Sequence, residues 1–104
     1  MQTKQYTTYF NEEKDRYMKA YVQVDYVGNF TADEIQHCHH MISHLASKLN
    51  LCITGSLSRR EDTHTGILTF GQGNRKDYVR SRSSNLAEFI ENLVVQIETY
   101  SQAT

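Results

Sequence analysis

Residues 17–50, YMKAYVQVDYVGNFTADEIQHCHHMISHLASKLN, decide the fold. Over residues 17–27 the apolar positions fall every second residue: Met18, Ala20, Val22, Val24 and Tyr26 share one face, and Tyr17, Lys19, Tyr21, Gln23 and Asp25 share the other. That period of two marks a strand with one buried and one solvated surface. Gly28 and Asn29 end it. Thr31 with Glu34 three residues later forms a capping box, which starts a helix by satisfying its first free amide groups. Ile35, Cys38, Ile42, Leu45, Ala46 and Leu49 then recur at helical spacing, and Asn50 suits a C-terminal stop.

Outward from this β-α unit, three short strands are expected at 52–58, 65–71 and 78–82. The breaks between them are Arg59-Arg60-Glu61-Asp62 and Gly71-Gln72-Gly73-Asn74, and the glycine and asparagine of the second suit a hairpin. The three should form an antiparallel meander, with His64 in the loop ahead of its middle strand. Ser84-Asn85 with Glu88 opens a second helix, whose stripe is Leu86, Ile90, Leu93, Val94 and Ile97 to about Tyr100. Before the first confident strand, residues 6–10 read as a short edge strand or arm and 11–16 as the loop behind it. Residues 1–16 are thus a flexible arm or a short edge strand of a single domain spanning residues 1–104.

The expected fold is α+β: a two-layer sandwich, (β)-β-α-β-β-β-α, with two helices on one face of an antiparallel sheet of about four strands. From Thr31 to Tyr100 the order α-β-β-β-α resembles that of a double-stranded-RNA-binding domain. The lysine-rich helix start that grips phosphates in that family is replaced here by Ser83, Ser84, Asn85 and Glu88.

With 104 residues the chain can bury one modest core and is too short for the large catalytic barrels. At 38% hydrophobic and 22% charged residues, with seven Tyr and four Phe, it has too many aromatics and too little charge for a disordered tail. No apolar run reaches the roughly 20 residues that cross a bilayer, and residues 1–5 carry no leader-like segment. A cytoplasmic protein with no membrane contact is expected. Cys38 and Cys52 match no zinc or disulfide pattern and read as small buried hydrophobes.

Two polar constellations stand out. Tyr78, Arg80 and Arg82 share one strand face, as do Tyr17, Lys19 and Tyr21. Shown on the same side of the sheet, these six would form an aromatic and guanidinium platform for bases and phosphates. Tyr and Arg are equally the anchors of protein interfaces, and they also cover plain solvated sheets. The segment 48–82 holds seven basic and three acidic residues, yet the whole chain carries a formal charge of -1. That balance argues against strong attraction to nucleic acid.

The second constellation is Asp33, His37, His40 and His44, on the helix face opposite the apolar stripe. Spacings of three and four can hold Zn, Ni or Cu weakly, or make a patch that gains charge near pH 6. A structural metal site draws ligands from several elements, and this face belongs to one. His39 lies nearer the core edge. No cofactor is expected beyond such a weakly bound ion.

No nucleophile elbow, Walker loop or dinucleotide fingerprint occurs, and Gly71–Lys76 joins strands without a helix dipole behind it. The chain is therefore expected not to be an enzyme. The leading expectation is a non-catalytic interaction module that binds another protein and self-associates as a homodimer. The alternatives are an RNA- or single-stranded-DNA-binding domain and a metal- or pH-responsive regulator.

Overall fold

The structure, a computed structural model, describes residues 3–10, 20–72 and 75–102. In chain order these form β1 (Thr3–Phe10), β2 (Ala20–Gly28), α1 (Ala32–Leu49), β3 (Cys52–Arg60), β4 (Thr63–Gln72), β5 (Arg75–Ser83) and α2 (Leu86–Gln102). The sheet runs β1-β2-β3-β4-β5, antiparallel throughout except for β2 beside β3. Joining parallel neighbours needs a crossover, and α1 is that crossover.

The α+β class, the paired helices and the meander of β3, β4 and β5 agree with the sequence reading. The strand number is five, not about four. Residues 3–10 pair with 20–27 over eight consecutive positions, so the N-terminal segment is a full edge strand, not an arm. Its tie is main-chain pairing, which apolar periodicity cannot reveal. Residues 11–19, including the expected loop and the start of the first confident strand, lie outside the described residues.

Local chemistry sets the helix ends. The Thr31 hydroxyl accepts from the Glu34 amide at 3.2 Å, and the Glu34 carboxylate accepts from the Thr31 amide at 2.9 Å. Asn50 closes α1 with φ 56°, its amide donating to the Ala46 carbonyl. At α2, the Asn85 side-chain oxygen accepts from the Glu88 amide at 3.0 Å, the N-cap bond expected from Ser84-Asn85.

One face of the sheet is covered. Ala20, Val22, Val24 and Tyr26 on β2, Ile53 and Leu57 on β3, Leu68 and Phe70 on β4 and Val79 on β5 are buried there. Register aligns them across the strands, with Val22 opposite Ile53, Ile53 opposite Phe70, and Leu68 opposite Val79. Onto them pack Ile35, Cys38, Ile42, Leu45 and Ala46 of α1 and Phe89, Ile90, Leu93 and Ile97 of α2. Each of the larger side chains contributes about 1.5–3 kcal/mol by leaving water. Phe89, absent from the expected stripe, is fully buried because α2 presents a broader face to β4 and β5 than a single row provides.

The terminal strand β5 has a neighbour on one side only. There the Gln96 side chain of α2 donates to the Arg80 carbonyl at 2.8 Å. Among the described residues no helix is long and apolar enough to cross a membrane.

Candidate functional site

Because side chains alternate along a strand, the register that builds the core also fixes the opposite, uncovered face. Tyr21, Gln23, Asp25 and Val27 of β2 lie there, followed by Cys52, Thr54, Ser56, Ser58 and Arg60 of β3. Thr63, Thr65, Ile67, Thr69 and Gly71 of β4 come next, and Lys76, Tyr78, Arg80 and Arg82 of β5 complete the face. Its centre is small and hydroxylated. Its β5 margin carries three exposed cations and an exposed aromatic ring.

Of the six residues expected to form a binding platform, Tyr21, Tyr78, Arg80 and Arg82 occur together on this face, with neither α1 nor α2 above them. Tyr17 and Lys19 lie outside the described residues. The two tyrosines do not form a stacking pair. β2 and β5 are three strand spacings apart, about 14 Å, too far for both rings to clasp one base. Tyr78 is 56% exposed and lies against its neighbour Arg80, whose guanidinium carbon is 5.6 Å from the ring centroid.

The two layers differ in charge. Arg60, Lys76, Arg80 and Arg82 are exposed on the open face, against a half-buried Asp25. Glu88 and Glu91 are exposed on α2, behind the sheet. Among the described residues the open face is thus positive and the helix layer negative, although the whole chain carries a formal charge of -1. A ligand at the open face meets this local charge and not the sum over the chain.

Asp33, His37, His40 and His44 are all exposed along the outer side of α1. They do not come together as a ligand set: among the described residues no three His, Cys, Asp or Glu side chains are placed to hold a metal ion. One helix face offers a row of imidazoles without a second element to close a coordination sphere. His39 is half-buried as expected, its ring centroid 5.5 Å from that of Tyr6, and burial lowers its pKa.

His64 departs most from its expected place. It belongs to β4, not to a loop, and is 3% exposed. Its Nε2 lies 3.3 Å from Glu34 Oε2 and its Nδ1 3.2 Å from the Ser83 carbonyl, while Phe30 and Phe89 flank the ring. Glu34 Oε1 accepts from the Arg59 guanidinium, which also donates to the carbonyls of Glu61 and Asn29. Glu34 thereby ties together the start of α1, the end of β3 and the start of β4. Burial pushes its carboxyl pKa up, but the hydrogen bonds from Thr31 and His64 and the Arg59 charge outweigh this and hold it below the usual range. Spacings of 25 and 30 residues hide this cluster from any local reading of the sequence.

Cys38 is fully buried among apolar side chains. Burial, and secondarily the Glu34 charge, push its thiol up to about 12, the reverse of what a nucleophile needs. Iodoacetamide should leave Cys38 unmodified in the folded protein and reach it only in denaturant. Peptide mapping that found Cys38 alkylated under native conditions would contradict this burial.

This layer arrangement has counterparts among solved structures. The N-terminal domain of Thermus thermophilus protein Y superposes with a TM-score of 0.61 at 14% identity, covering 77% of this chain and 92% of that one. A ribosomal subunit interface protein from Coxiella burnetii gives a TM-score of 0.63 at 7% identity, covering 79% and 93%. At such identities the likeness is one of fold. No protein-family model and no curated protein matches the sequence.

Proposed function

We propose that the chain is a non-catalytic cytoplasmic module that docks on an RNA-bearing surface of ribosomal type through the open face of its sheet. The observation that carries this reading is the column Lys76, Tyr78, Arg80 and Arg82, exposed on an uncovered face whose charge opposes that of the helix layer. Arg80 and Arg82 lie about 6.7 Å apart along the strand and Lys76 about 13 Å from Arg80, so each can meet a phosphate, and guanidinium groups do so with two parallel hydrogen bonds. The fold shared with the Thermus and Coxiella domains supports the same direction.

The test is fluorescence anisotropy with a labelled RNA duplex across a salt series. With about three phosphates engaged, the logarithm of affinity should fall with that of salt at a slope near -3. Lys76→Ala combined with Arg80→Ala should weaken binding about 10–100-fold and leave the melting curve unchanged. No binding by the intact protein at about 50 mM salt would end this reading.

A protein-docking reading of the same face has one observation in its favour. Ile67, 42% exposed, pairs with Arg80 and lies diagonal to the exposed Tyr78 within a polar surround, the make-up of a small interface core. If the partner is a second copy, sedimentation should show concentration-dependent mass that Ile67→Asp abolishes, and a monomer across the micromolar range would remove the homodimer.

A further inference from the structure

Resting on the RNA reading, we infer that the corner of the open face beside the β3–β4 hairpin is a phosphodiester-binding subsite, in which Arg60 and Arg82 clasp one backbone phosphate over the hydroxyls of Thr65 and Ser58. A shallow recess lies there, lined by Ser58, Arg60, Glu61, Thr63, Thr65 and Arg82. Register places Ser58 opposite Thr65 and Thr65 opposite Arg82, and puts Arg60 opposite Thr63 one step further toward the hairpin. The two arginine backbones are thus about 12 Å apart, two strand spacings across and one alternate residue along. Long side chains can close that span from opposite sides onto a single anion.

The contrast within the Arg59-Arg60 pair is informative. Alternation along β3 sends Arg59 toward the helix layer, where Glu34 and two carbonyls occupy its guanidinium. Arg60 goes to the open face and is exposed. Among the described residues, neither Arg60 nor Arg82 has a carboxylate partner. Two exposed guanidiniums over a floor of hydroxyl donors suit an anion with several acceptor oxygens, and backbone phosphate is the ligand that the rest of the cationic face also fits. Glu61 is the acidic residue among those lining the recess and opposes the charge of the ligand. The subsite reads charge and shape, so binding through it carries no base preference.

The test uses the full chain with a labelled RNA duplex, in parallel with an NMR titration by inorganic phosphate. Arg60→Ala and Arg82→Ala should each weaken RNA binding about tenfold. If they share one phosphate, the double variant should lose clearly less than the hundredfold product, and its salt slope should drop by about one, not two. Glu61→Gln should tighten binding about twofold. Full additivity with a slope change of two would overturn the shared clasp. Unchanged affinity in both single variants, with the Lys76 and Arg80 double variant still impaired, would overturn the subsite while leaving the RNA reading standing. Amide shifts at Thr63 and Thr65 with inorganic phosphate, without any dependence of RNA affinity on Arg82, would mark a free-anion site and overturn it as well. Failure of the intact protein to bind the duplex would instead strike the RNA reading itself.

Discussion

Glu34→Ala should lower stability by about 3 kcal/mol, the largest loss expected from any single charged position. One carboxylate serves three purposes: it caps α1 through the Thr31 amide, accepts from the Arg59 guanidinium and partners the buried His64 ring. Losing a cap costs about 1 kcal/mol. Leaving a buried polar group and a partly buried guanidinium without their acceptor costs about 1–3 kcal/mol more. For a domain of this size the melting temperature should fall by about 15 °C. The pH dependence has a definite sign. Because the folded-state pKa of Glu34 lies below its ordinary value, the unfolded chain binds the proton more readily. The stabilisation is complete above the usual glutamate range and is lost as pH falls through and below it. Urea titrations from pH 7 to pH 3 should therefore show a flatter acid limb in Glu34→Gln than in the parent. Parallel curves would mean that Glu34 does not carry the linkage.

Gly28→Ala should cost a comparable amount, about 3 kcal/mol, for a reason located in the backbone. Gly28 ends β2 with φ 92°, a conformation that costs a residue bearing a Cβ about 1–2 kcal/mol. A methyl group there would also run into the Arg59 carbonyl, the acceptor of the Asn29 amide at 3.0 Å. The main chain would have to part where β2 meets β3, shifting Arg59 away from Glu34. The two substitutions should therefore be non-additive. In a double-variant cycle the combined loss should fall short of the sum by about 1 kcal/mol, and strict additivity would show the two sites to be independent.

How much of this was legible in advance depended on the range of the interaction. The alternation through Val22, Val24 and Tyr26, the box of Thr31 and Glu34 and the stop at Asn50 are local patterns, and the structure contains all of them. The β1 strand was half legible, since Tyr6 and its neighbours show strand composition but the pairing that orders them is set by β2. β4 starts two residues earlier than its apolar pattern indicates, because Thr63 and His64 look polar while His64 is a buried side chain satisfied by Glu34 and Ser83 from distant elements. At the candidate site, the shared face of Tyr78, Arg80 and Arg82 followed from their spacing alone. Arg60 did not stand out, because its role depends on the hairpin that brings β3 and β4 alongside β5.

The bond from Gln96 to Arg80 at the sheet's last strand has a consequence for how the protein behaves in bulk. A row of unsatisfied main-chain groups on such a strand is a template for runaway stacking of copies into fibrils. Here a side chain of α2 occupies one of those acceptors, and mutual repulsion among Lys76, Arg80 and Arg82 keeps like strands apart. Concentrated solutions of the protein should stay clear on long incubation, and thioflavin fluorescence should rise first in a variant that lacks both the Gln96 amide and those charges.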